Sequence, residues 1–185
     1  MRFYFTALFF SLLVLATSCT EEPMTESEKS ILVTAKDFED YGFRFANADS
    51  IGIFTKTTFF DGSIELDYEF EYLDDDENAM YLSHTISLEK NAADATATYA
   101  GESIGTSVGL LTGVEFEELD HVFSYGDKSS FNLLRSEGYP IGNFFHYRKG
   151  SYVYTLWISG VYFDDRSSWE TFIMPKIKVM ENFKR

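Results

Sequence analysis

A chain of 185 residues has room for one domain, or for one small domain with short extensions. Its hydrophobic fraction of 45% and charged fraction of 24% are typical of a globular protein, which excludes intrinsic disorder and collagen-like or mucin-like repeats. The formal net charge of −15 argues against nucleic acid as a partner and against electrostatic docking on anionic lipid, because both depend on a surplus of Lys and Arg.

The first residues have the pattern of an export signal. Arg2 precedes an apolar run from Phe3 to Leu15, which is followed by the small residues Ala16-Thr17-Ser18 and by Cys19, the only cysteine. The run is shorter than the ~20 apolar residues of a membrane span. Leu15-Ala16-Thr17-Ser18-Cys19 resembles the lipobox of bacterial lipoproteins. An ordinary secretory signal beside a chance cysteine is the alternative interpretation.

The lipoprotein resemblance implies that residues 1–18 are a signal peptide and that Cys19 carries the lipid that holds the chain on a membrane of the cell envelope. It favours the outer membrane, since Thr20 is not the aspartate associated with inner-membrane retention. A lipidated Cys19 would leave no thiol for a disulfide or a thiolate metal site. Residues 19–30 are acidic, contain Pro23 and lack apolar periodicity, so we expect a solvated, lipidated tether.

The folded region begins with a short helix and a hairpin. Thr34 is a good N-cap for residues 35–41, and Gly42 is a good terminator. Strict alternation over residues 63–73 predicts a half-buried strand. The Asp61-Gly62 pair predicts a two-residue turn that would place Phe59 opposite Ile64 and Lys56 opposite Asp67.

The remaining elements follow the same rules. Residues 80–88 alternate as a third strand, and Asn91 caps an Ala-rich helix that ends between Ala100 and Leu111. Further strands are predicted at 114–119, 122–125, 129–136, 139–148 and 151–162. Asp164 or Asp165 caps a last helix, 167–183, which Pro175 should kink or restart.

These elements predict an α+β fold, in which an antiparallel β-sheet of about six to eight strands has two main helices packed on it, within a single domain over residues 31–185. The order of elements distantly resembles the Mog1/PsbP-type α+β sandwich. That resemblance covers topology alone and implies no function.

Two overlapping G-x-S-x-G patterns centre on Ser103 and Ser107, with His121 or His146 as candidate bases. The pattern needs a strand before the serine, whereas the preceding residues favour a helix, so we interpret both matches as compositional. A small serine hydrolase remains the enzymatic alternative.

Metal and cofactor signals are weak. Asp74, Asp76 and Asn78 fit the first ligands of a calcium loop, but Ala79 and Thr85 stand where such a loop needs glycine and glutamate. A calcium-stabilised module is a further alternative to a solvated acidic turn. His84 and His146 lie in apolar strands, which favours a structural role. We therefore predict no cofactor and no metal.

Aromatic residues are concentrated in the last predicted hairpin. Tyr147 and Tyr152 fall on one face of it, and Phe144 and Trp157 fall on the other. We predict that these four residues form a ligand-binding surface, unless helices cover both faces of the sheet. The leading hypothesis is a non-enzymatic, lipid-anchored envelope domain that binds a partner protein or a ligand through this aromatic face.

Overall fold

The computed structural model describes residues 20–45, 52–73, 79–109 and 113–183. The described residues form eight strands and four helices. The strands are β1 (Thr20–Glu21), β2 (Ile53–Thr58), β3 (Ile64–Leu73), β4 (Ala79–Leu88), β5 (Val114–Glu118), β6 (Lys128–Ser136), β7 (Tyr139–Lys149) and β8 (Tyr152–Ser159). The helices are α1 (Glu26–Ser30), α2 (Ala35–Tyr41), α3 (Ala92–Gly109) and α4 (Arg166–Glu181).

All eight strands belong to one antiparallel sheet with the order β1-β2-β3-β4-β8-β7-β6-β5. Two meanders of consecutive strands, β1–β4 and β5–β8, meet where β4 pairs with β8. The β2–β3 turn defines the hairpin end of the sheet, where Leu88 and Tyr152 also lie. Leu73 and Tyr139 lie at the opposite, far end. The predicted α+β class and strand number are confirmed.

Helices cover the two faces of the sheet unequally. The first face, which carries Leu82 and Tyr154, packs against α2 and α4 in one large core. Trp169 of α4 is fully buried against Phe131 and other rings of this core. On the second face, a smaller cluster joins Ala95 and Tyr99 of α3 to Val153 of β8. The large core supplies most of the apolar burial that stabilises the fold.

The helix boundaries follow the predicted caps. The Asp37 carboxylate accepts the Thr34 N–H at 2.7 Å, and α2 ends at Gly42, which has a φ of +120°. Asn91 accepts two backbone N–H groups at the start of α3. Asp165 caps α4, which runs without interruption through Pro175, so the predicted restart does not occur. Predicted strand 122–125 is also wrong: Val122 and Phe123 are buried, but in a turn and coil segment.

The predicted register of the β2–β3 hairpin is wrong by one residue. Thr58 lies opposite Ile64, and Lys56 lies opposite Leu66. The turn contains three residues, 60–62, since Gly62 donates to the Phe59 carbonyl at 2.8 Å and adopts a φ of +87°. Left-handed glycine in the third loop position is typical of a bulged hairpin. The shift by one residue moves every β2 side chain to the other face of the sheet.

The prediction that residues 19–30 form a solvated tether is wrong for residues 20–30, which the structure places against the sheet. Thr20 pairs with Thr58, so β1 is an edge strand of the sheet. Lys56 turns to the first face, where its ammonium lies 2.9 Å from Glu28 of α1, and both side chains are 11% exposed. Glu28 therefore has a partner in the fold instead of water, and residues 20–30 dock on the domain. Residue 19 lies outside the described residues.

Within the part of the chain that the structure describes, no helix combines the length and the apolarity needed to cross a membrane.

Candidate functional site

The four aromatic residues predicted to bind a ligand do not share one accessible surface. Tyr147 is fully buried in the first-face core, where its hydroxyl lies 3.4 Å from the Met180 sulfur. Phe144 is only 4% exposed on the second face, where it contacts Phe116 and Trp157. Tyr152 and Trp157 are half-buried on opposite faces. The prediction of one exposed aromatic face is therefore wrong, because helices and neighbouring rings cover it.

The structure does bring Ser103 next to a histidine. Its hydroxyl oxygen lies 3.3 Å from Nδ1 of His146, and Glu102 Oε2 lies 3.2 Å from Nε2 of the same ring. The contact at Nε2 lies within ion-pair distance but lacks hydrogen-bond geometry. Tyr99 stacks on the buried ring with a centroid distance of 4.0 Å. Serine, histidine and glutamate thus meet where α3 crosses β7.

The direction of the Ser103 hydrogen bond does not suit nucleophilic attack. The hydroxyl donates to the Tyr99 carbonyl, one helical turn earlier, at 2.8 Å, so Nδ1–H of His146 donates to the serine oxygen. Ser103 also lies inside α3, where backbone N–H groups bond within the helix and are not directed at a developing oxyanion. Thr155 donates to Glu102 at 2.5 Å. These contacts fasten α3 to the sheet.

The other sequence candidates lie apart from this cluster. His84 is fully buried on the first face, where Nδ1 accepts the Val33 N–H at 2.6 Å; burial holds its pKa well below the usual value and keeps the ring neutral. His121 is exposed in the turn after β5. Ser107 belongs to α3, but its side chain is outside the described set.

The candidate calcium ligands of the sequence lie between β3 and β4. Asp74, Asp76 and Asn78 fall outside the described residues. In the ranges that the structure does describe, no group of three or more His, Cys, Asp or Glu side chains is arranged to hold a metal ion.

A cavity of about 650 Å³ lies on the second face, between the β2–β3 turn and the first turns of α3. Phe59, Phe60 and Ile64 supply its apolar walls. The turn puts the two phenylalanines there: Phe59 is 37% exposed and Phe60 is 92% exposed. The volume falls in the range of small-molecule sites, which join apolar walls to a few polar groups.

The polar walls of this cavity are acidic. Every titratable side chain among its described lining residues is a carboxylate, and Asp61 at the rim pairs with Lys90 at 3.1 Å. Burial, with smaller contributions from Asp67 and other acids, raises the pKa of Glu65 to about 7. The electrostatic neighbours of Glu65 are thus acids, and its carboxyl is about half-protonated at neutral pH. A cation in the cavity would favour the ionised form.

Sequence reasoning missed this site. The period-two pattern did put Glu65 on the face opposite Leu66, but as a solvated side chain. The cavity arises because α3 crosses that face and brings Asp94 and Thr98 towards Glu65. The available signal was the helix cap at Asn91, which starts α3 directly after β4 and hence beside the hairpin.

The fold and this cavity define an α+β protein with a partly covered sheet. No protein family, no curated protein and no solved structure was found to match the chain.

Proposed function

We propose that the chain is a lipid-anchored cell-envelope domain that binds, without catalysis, an amphiphilic ligand bearing a cationic group. The observation that carries the proposal is the cavity of about 650 Å³, whose walls combine phenylalanine rings with carboxylates. The lipid anchor rests on the lipobox-like residues that end at Cys19.

The charge of the cavity selects the ligand class. Glu65 is half-buried among other acids, so an ammonium group nearby would relieve their mutual repulsion and lower the raised pKa. Glu89 and Asp94 also line the cavity and add to its negative potential. The negative potential disfavours an anionic ligand, so cationic and zwitterionic amphiphiles are the favoured class.

The aromatic rim suits the same class. Phe59 and Phe60 offer apolar area for an alkyl or aromatic portion, and their ring faces attract a cation. A ligand with its apolar part at the rim and its ammonium group at Glu65 would satisfy both kinds of wall. The Ser103 cluster lies on the same helix and keeps α3 in place over the cavity.

Calorimetric titration tests this proposal. The chain without residues 1–18 and with Cys19→Ala is titrated with decylammonium and, as a neutral control, with decyl glucoside. We expect decylammonium to bind, and Glu65→Gln to weaken it about tenfold, a loss of ~1.4 kcal/mol. The matched control is Glu69→Gln, on the same face of β3 but exposed and outside the cavity. Equal affinity for both amphiphiles, or an equal effect of both variants, would contradict the proposal.

A further inference from the structure

We propose that the β2–β3 turn, residues 60–62, together with the adjoining Phe59, is the surface by which the anchored domain contacts the lipid bilayer, with Phe60 entering the interfacial layer. This inference rests on the lipid anchor of the proposed function. Two features of the described residues support it: the exposure of the turn and the place where the chain enters the fold.

The turn presents an unusually exposed aromatic ring. Phe60 is 92% exposed, more than any other large apolar side chain that the structure describes, and Phe59 beside it is 37% exposed. Aromatic side chains are favoured at the boundary between headgroups and acyl chains, and they strengthen an acyl anchor that holds a protein at the surface. A rigid hairpin turn presents the ring without the cost of ordering a flexible loop.

The chain enters the fold at the same place. Thr20 pairs with Thr58, the last residue of β2 before the turn. Cys19, which would carry the lipid, directly precedes Thr20 in the sequence, and consecutive Cα atoms are about 3.8 Å apart. The lipid would therefore be attached close to the end of β2, beside Phe59. Since β1 is hydrogen-bonded to the sheet edge, the lipid cannot be far from the hairpin end. The acyl chains and Phe60 would therefore meet the same bilayer surface.

Ion pairs offset part of the negative charge near the turn. At the hairpin end, three acids each have a basic partner: Asp61 pairs with Lys90, Asp127 with Arg148, and Glu181 with Lys149. Glu65, Glu89 and Asp94 keep the adjoining cavity negative, so the proposed contact depends on Phe60 and the lipid anchor and not on charge.

This orientation has a consequence for the cavity. Phe60 of the turn and Phe59 beside it both line the cavity rim, so the cavity would open towards the headgroup layer. A cationic or zwitterionic amphiphile could then reach Glu65 from the bilayer without crossing free solvent.

Depth measurements on the full, lipidated protein test the inference. Phe60→Cys and, as a matched control, Tyr139→Cys are each labelled with an environment-sensitive fluorophore and reconstituted in vesicles of phosphatidylcholine and phosphatidylglycerol that contain a spin-labelled quencher lipid. Tyr139 is 74% exposed and lies at the far end of the sheet. We expect quenching and a blue shift at position 60 only. A label that stays in water at position 60, or equal quenching at both positions, would overturn the inference.

Two further measurements distinguish a failure of the proposed bilayer contact from a failure of the proposed function. Mass spectrometry of the N-terminal peptide shows whether Cys19 is acylated; if it is not, the anchor itself is wrong. Hydrogen exchange of the unlabelled protein checks the turn without a fluorophore, and we expect slower exchange at residues 60–63 in vesicles than in the Cys19→Ala form in solution. Equal exchange in the two forms would overturn the bilayer contact even if ligand binding in the cavity is confirmed.

Discussion

Replacing Glu65 with glutamine should stabilise the protein at alkaline pH and leave it almost unchanged at acidic pH. In the fold, burial and neighbouring acids raise the pKa of this carboxyl from an ordinary 4.5 to about 7. The unfolded chain therefore ionises the group more readily than the folded protein does. Stability is lost as the pH rises from the unfolded pKa through the folded one, and the loss is complete above about pH 7.

The size of the effect follows from the two pKa values. A change from 4.5 to about 7 corresponds to at most ~3 kcal/mol of unfolding free energy above neutral pH. Because the side chain is only half-buried, solvent screens part of this penalty, and we expect a gain of about 1–2 kcal/mol for Glu65→Gln. At about pH 4.5 the carboxyl is largely protonated in the fold, and the gain should shrink to a few tenths of a kcal/mol.

Urea unfolding at about pH 4.5 and about pH 8.5 measures the gain at each pH. The control is Glu69→Gln, which removes an exposed carboxylate from the same face of the same strand. The reasoning is refuted if the Glu65 variant gains as much at acidic as at alkaline pH, or if the Glu69 variant shows the same pH-dependent gain.

Three further predictions concern the turn, the N-terminal segment and Ser103. Gly62→Ala should destabilise the protein by ~1 kcal/mol, because φ is +87° there. Gly101→Ala, at an exposed position of α3, should stabilise it by about 0.5–1 kcal/mol, and shifts of the urea midpoint in opposite directions check the pair. Lys56→Met should cost about 1–3 kcal/mol by leaving Glu28 unpaired, and limited proteolysis before residue 31 should accelerate; unchanged proteolysis would mean that the ion pair does not hold this segment. Wild type and Ser103→Ala should both resist a fluorophosphonate probe, and labelling that disappears in the variant would show that the serine is nucleophilic.

Local patterns predicted much of the fold because most elements here are defined by near neighbours. The caps at Thr34, Asn91 and Asp165 depend on hydrogen bonds between a side chain and a backbone N–H group only two or three residues apart. The register of the β2–β3 hairpin could not be predicted from local patterns, since Asp61-Gly62 fits both a two-residue and a three-residue turn. The Asp61 side chain accepts from the Ser63 N–H at 3.0 Å, which supports the longer turn.

Residues 20–30 illustrate a different limit. The composition of this segment is that of a soluble linker, but its structure depends on Lys56, a residue far along the chain. The candidate site was missed for a related reason. Glu65, Ser87 and Thr98 come from three elements, and only the path of α3 across the sheet places them around one cavity. Patterns within one element contain no information about that path.

The junction between β4 and β8 has a consequence for folding. Each meander pairs strands that are consecutive in the chain, whereas this junction joins Leu88 to Tyr152 and Tyr81 to Ser159. Closing so long a loop carries an entropic cost that consecutive hairpins avoid, so we expect it to be the slow step. Until β8 arrives, β4 presents an open edge from Tyr81 to Leu88 that other chains can pair with. The vulnerable species during folding is therefore a preformed first meander, with its aggregation-prone edge at the middle of the future sheet.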